Sequence, residues 1–181
     1  MSTNDNNRYW LGFDLGGTKM QAVLFDDAFK PVARKRRKTK GHKGADVGLQ
    51  RVMETISAAV EEAGVAPAQL LGIGVGCPGP LDLDRGMVLE MPNLGWKDAA
   101  VKDLLEQAFP CPVVIANDVD AGVYGEYRAG AAKNARCVVG VFPGTGIGGG
   151  CVYQGEILRG EPGSCMEIGH IPVSKDGGVV D

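Results

Sequence analysis

Gly12-Phe-Asp-Leu-Gly-Gly-Thr-Lys-Met-Gln-Ala-Val-Leu-Phe25 and Gly140-Val-Phe-Pro-Gly-Thr-Gly-Ile-Gly-Gly-Gly-Cys-Val-Tyr153 follow one plan. Laid over each other without a gap, 128 residues apart, Gly12 meets Gly140, Gly16 meets Gly144, and Val23-Leu24-Phe25 meets Cys151-Val152-Tyr153. Apolar run, glycine-threonine turn, apolar run is the pattern of a β-hairpin whose turn brings backbone N–H groups close to something small and anionic. Two such hairpins facing each other would clamp a chain of phosphates. The pattern implies a nucleotide-using enzyme built by duplication.

Composition is compatible with that reading. The 181 residues are 44% hydrophobic and 23% charged, ordinary for a globular protein, and the net charge of −3 gives no reason to expect nucleic acid or an anionic membrane as partner. Glycine stands out at 28 residues, much of the excess lying in the two loops. No apolar run approaches the roughly 20 residues that cross a bilayer. Met1 to Arg8 is polar and lacks the apolar core of a secretory signal. The cysteines at 77, 111, 137, 151 and 165 are scattered and odd in number. They are expected to be buried, reduced thiols of a cytoplasmic protein.

Strands are expected over Tyr9–Leu15, Met20–Phe25 and Pro31–Lys38. Leu49, Val52, Met53, Ile56 and Val60 recur at helical spacing, which predicts a helix from Ala45 to Ala63 stopped by Gly64. Leu71–Gly76 reads as a buried strand, Met87–Glu90 as a weak one, Ala99–Phe109 as a helix and Val113–Ala116 as a short strand. A helix over Asp118–Ala129 and strands over Cys137–Phe142 and Cys151–Tyr153 complete the pattern. Strands alternating with helices imply a mixed α/β sheet with helices packed on it. The best boundary lies near Ala116, giving domains 1–116 and 117–181. Ser174–Asp181 reads as a turn entering something further.

The candidate chemistry sits on loops. Gly16 and Gly17 can adopt the positive φ of a phosphate-hugging turn; Thr18 adds a hydroxyl and Lys19 a charge. Asp14 ends its strand, where a carboxylate can hold Mg²⁺ directly or through water; the alternative is a plain hairpin with a capping aspartate. Gly144-x-Gly146-x-x-Gly149 matches the dinucleotide fingerprint formally, but that motif opens a helix and here Cys-Val-Tyr continues a strand. A second phosphate loop through Gly144, Thr145 and Gly146 fits better. Asn117-Asp118 lies where a strand gives way to a helix, and Asp118 is either a helix cap or a general base for phosphoryl transfer. Glu167 and His170 can bind adjacent hydroxyls of a polyol. The basic run Arg34–Lys40 reads as a solvated edge strand, since lysine and arginine keep such edges from pairing.

In this order, Asp14-x-Gly-Gly-Thr-Lys19, Pro78-Gly-Pro80, Pro92-Asn-Leu-Gly-Trp96, Asn117-Asp118, Gly144-Thr-Gly-Ile-Gly-Gly-Gly150 and Glu167-x-Gly-His170 resemble the ROK family of sugar kinases and related repressors. That resemblance implies the duplicated α/β fold of the actin-like ATPase (ribonuclease H-like) superfamily, its second domain incomplete here. It implies phosphorylation of a hexose hydroxyl by ATP with Mg²⁺. Asp118 would be the base. Gly79, Asn93, Asn117, Asp118, Glu167 and His170 would line the sugar site. Gly17, Thr18, Lys19, Thr145 and Gly146 would contact phosphates. The family's zinc motif, Cys-x-Cys-Gly-x-x-Gly-Cys after the Glu-x-Gly-His segment, has no counterpart, so no zinc site is expected. Only eight polar residues precede the first strand, which favours the kinase branch over repressors with an N-terminal winged helix. With one clear helix to cover its sheet, the second half is expected to leave apolar surface exposed, so that the chain either self-associates, as a homo-oligomer (dimer), or has a mobile C-terminal third.

Overall fold

The computed structural model describes residues 7–40, 44–144, 146–161 and 165–171. Two compact units divide between Asp118 and Val119.

The first unit is built on a five-stranded sheet in the order β3-β2-β1-β4-β8. β1 (Tyr9–Leu15) pairs antiparallel with β2 (Lys19–Phe25), which pairs antiparallel with β3 (Pro31–Lys38). On its other side β1 runs parallel to β4 (Leu70–Cys77), and β4 parallel to β8 (Val113–Asn117). The period-two pleat sends Leu11, Phe13 and Leu15 of β1, Met20, Ala22 and Leu24 of β2, and Ile73, Val75 and Cys77 of β4 into one core. α1 (Ala45–Glu62) contributes Leu49, Val52, Ile56, Ala59 and Val60 at helical spacing, and α2 (Val101–Ala108) contributes Val101 and Leu105. The basic strand β3 lies at the sheet's edge, as expected, and two of its residues pair with α1: Lys35 with Glu62 at 2.8 Å and Arg37 with Glu54 at 3.4 Å.

A small sheet of β5 (Leu81–Asp82), β6 (Met87–Met91) and β7 (Trp96–Ala99) completes the unit. Here the expected helix from Ala99 is corrected: the chain stays extended through Ala99, pairing with β6, and α2 starts at Val101. Trp96 and Ala99 are buried at the ends of a strand whose middle residues are charged, a pattern too short to show a period. The Trp96 ring lies against α1 at Gly48, where a Cβ would run into ring carbon Cζ2.

The second unit holds β9 (Cys137–Pro143), β10 (Ile147–Tyr153) and β11 (Glu156–Ile157) in the order β11-β10-β9, with α3 (Asp118–Ala129) packed against the hairpin. Glycines allow that approach: a Cβ at Gly148 would lie 2.6 Å from Val119 Cγ2, and one at Gly150 2.8 Å from Val123 Cγ2. β9 buries no residue, and Val139 and Val141 are 57% and 58% exposed, so the apolar surface expected of this half is present. Two of the cysteines expected to be buried are not: Cys137 is exposed and Cys165 only half-buried.

The strands of the two hairpins keep the 128-residue spacing at both ends. Their registers differ by one residue. Leu15 pairs with Met20 across a four-residue turn, whereas Pro143 pairs with Ile147 across a three-residue one.

Candidate functional site

Parallel β1, β4 and β8 end at one edge of the first sheet, where α/β proteins place their ligands. Asp14 is in register with Gly76, Gly76 with Ala116, and Cys77 with Asn117, so Asp14 and Asn117-Asp118 reach the same edge from strands on either side of β4. The charges of the two carboxylates interact. Asp14 keeps an exposed face, yet the protein packed around the rest of it, then the charge of Asp118, raises its pKa, while Arg36 pulls it down. Arg36 reaches Asp14's row because it pairs with Gln21, which pairs with Asp14. Burial pushes the Cys77 thiol up to about 12, and Asp118 adds to the shift. Two carboxylates whose charges repel each other at one sheet end make a pair of hard oxygen donors. That fits a divalent cation.

The turn between β1 and β2 is closed by Gly16 N–H donating to Lys19 O at 3.0 Å. Neither Gly16 nor Gly17 takes the left-handed backbone expected from the sequence. Gly16 is needed for closeness, since a Cβ there would stand 2.9 Å from Lys19 O. Thr18 and Lys19 are exposed. A residue that sequence reasoning passed over fixes this turn. Thr39, fully buried, donates its hydroxyl to Gly16 O at 2.7 Å and its N–H to Thr18 O at 2.9 Å. The one uncharged side chain inside a run of lysines and arginines was the signal for it. Asn93 comes next to the turn, 3.8 Å from where a Cβ on Gly17 would be, and Gly79 comes next to Asn117, 3.9 Å from its Nδ2 by the same measure. The structure thus brings Asp14, the glycine turn, Gly79, Asn93, Asn117 and Asp118 to one end of the first unit.

In the second unit the β9–β10 turn exposes Gly144 and Gly146, and Gly144 N–H donates to Gly146 O at 2.8 Å. Thr145 lies outside the described residues. Glu167 and His170 flank a 3₁₀ turn over Ile168–His170, both exposed, with His170 Nε2 4.0 Å from Glu167 Oε2. Gly149 and Gly169 let this turn lie on β10: a Cβ on the first would meet Met166 O, and on the second Ile147 O. Among the described residues no three of His, Cys, Asp and Glu form a metal-binding group, and no helix is long and apolar enough to cross a membrane.

A mixed sheet with helices on it, a glycine-threonine hairpin at its head and a second hairpin of the same strand lengths define the α/β fold of the actin-like ATPase superfamily. The ROK family model matches residues 10–179, and the chain belongs to the ROK family. It is 32% identical over 173 residues to a glucokinase of Halalkalibacterium halodurans, covering 96% of this chain and 52% of that one. To the xylose repressor of Bacillus subtilis it is 30% identical over 174 residues, covering 96% and 45%. The solved ROK family glucokinase from Streptomyces griseus, in complex with glucose and AMPPNP, superposes with a TM-score of 0.78 at 32% identity, covering 94% of this chain and 52% of that one. The chain spans about half the length of the curated relatives it matches.

Proposed function

We propose that the chain transfers the γ-phosphoryl group of ATP to a hexose hydroxyl, or carries the N-terminal part of a kinase that does. The observation behind this reading is the placing of Asp118 at the carboxyl end of β8, electrostatically coupled to Asp14 at the end of β1. Phosphoryl transfer depends on positioning and charge neutralisation more than on covalent help from the protein. Asp118 takes the proton of the attacking hydroxyl, oriented by sugar contacts to Gly79, Asn93 and Asn117. Gly17, Thr18 and Lys19 contact phosphate, since the Gly16 N–H is engaged inside the turn. Mg²⁺, when bound with the nucleotide, neutralises phosphate charge, and Asp14 is its protein ligand. Glu167 and His170 are read as hydroxyl ligands, and the loop of Gly144, Thr145 and Gly146 as a second phosphate loop, whose Gly144 N–H is engaged inside the turn like that of Gly16. The relatives that support the reading are glucokinases, one of them solved with glucose and a nucleotide analogue.

A coupled ADP-release assay on the 181-residue chain with glucose, N-acetylmannosamine, fructose and allose tests it. Turnover is expected with at least one sugar. Asp118→Asn should lower kcat by at least ~10²-fold, as loss of a general base does, with sugar affinity little changed. Near-normal turnover in that variant would remove Asp118 from the chemistry. The xylose repressor among the relatives favours a second reading, a sugar-responsive module without catalysis. Calorimetric sugar binding without ADP release would establish that instead.

A further inference from the structure

Three of the five cysteines meet in the second unit, outside every residue read above as binding sugar or phosphate. Cys137 opens β9 opposite Tyr153, and Cys151 of β10 stands opposite Val139. The pleat therefore puts Cys137 and Cys151 on one face as diagonal neighbours. Cys137 stands near enough to Cys151 to act on its thiol through its charge. Cys137 is exposed at the start of the outer strand, whereas Cys151 is 6% exposed beneath it. β11 pairs with β10 on the side away from β9, where Leu158 N–H donates to Cys151 O at 2.9 Å, and Cys165 N–H donates to Arg159 O at 2.8 Å. Burial, then Cys137, then Cys165, keep the Cys151 thiol protonated to a higher pH than usual. An accessible thiol diagonally across a ladder from a sheltered one is the arrangement of an attacking and a resolving cysteine.

We propose that Cys137 and Cys151 form a peroxide-oxidisable pair. Cys137 sulfur attacks one oxygen of hydrogen peroxide, the O–O bond breaks, water leaves, and Cys137 becomes a sulfenic acid. Cys151 sulfur then attacks Cys137 sulfur, the S–O bond breaks, a second water leaves, and a disulfide joins β9 to β10. Two thiols give up two electrons, and one peroxide accepts them. Cys165 is the bystander, since it lies on neither of the paired strands, whereas Cys137 shares the ladder and the sheet face of Cys151.

The reduced 181-residue chain is treated with one equivalent of hydrogen peroxide under native conditions, alkylated, digested without reductant and read by mass spectrometry. Two of the five thiols should be lost, as one intramolecular cross-link between the Cys137 and Cys151 peptides. Cys137→Ser should leave Cys151 reduced. Cys151→Ser should leave Cys137 as a sulfenic acid that dimedone traps. A Cys137 that stays fully alkylated, a cross-link to Cys165, or links only between molecules would each overturn the proposal. The wild-type measurement decides this even if a variant fails to fold.

Discussion

At the scale of single residues, Asp14 carries a charge that the fold resists. Burial and Asp118 raise its pKa above the ordinary 3.8, and Arg36 offsets part of the rise. A raised carboxylate pKa favours the folded state fully below the ordinary value, and that advantage is lost as pH rises through the folded-state value. Asp14→Asn should therefore melt at a higher temperature than the parent at pH 7 without Mg²⁺ or nucleotide, the difference closing as pH falls below about 4. A variant melting lower at pH 7 would mean that the charge is fully compensated in the fold. Thr39 poses the opposite case, a polar group that the fold needs. Thr39→Val keeps the shape but leaves Gly16 O without its hydroxyl partner, at a cost of about 1–3 kcal/mol. Urea unfolding should show that loss, and Thr39→Ser should recover most of it; an unchanged midpoint in the valine variant would place the hydroxyl outside the stability of the turn.

Among the elements, the junction of α1 and β7 is the most sensitive to added volume. Gly48→Ala drives a methyl into the buried Trp96 ring, and overpacking of this kind costs about 1–3 kcal/mol. Equal unfolding midpoints for Gly48→Ala and the parent would show that the ring can move aside. This contact also marks where sequence reading gives out. α1 was legible because five buried positions repeat at helical spacing, and β1, β2 and β4 because apolar residues alternate across a pleat. β5 and β11 are two residues long and β7 four, too short for any period, and β7 exists because Trp96 and Ala99 are buried on pairing with β6. The site was legible for a related reason. Asp14, Asn117 and Asp118 stand where apolar strands stop, which a sequence displays. Arg36 acts across strands, through a pairing that no local pattern records, and the only local sign of Thr39 is an uncharged side chain in a basic run.

For the molecule as a whole, the two units differ in how well they cover their sheets. β1, β2 and β4 lie inside the five-stranded sheet and face a packed core, whereas β9 is the outer strand of three among the described residues and buries nothing. Local opening is easiest where few apolar contacts are lost. Amide exchange should therefore be faster over residues 137–143 than over residues 9–15 and 70–77; equal protection in a monomer would contradict this. The hairpins at the heads of the units carry a different message. Their strands are equal in length, yet their pairings are offset by one residue, absorbed in turns of four and three residues. A slip of one within a strand turns every side chain after it to the opposite face. If both hairpins descend from one ancestral copy, their equal spans mean that the pairing slipped by one while no residue was gained or lost, so residues matched in sequence no longer face matching partners across the ladder.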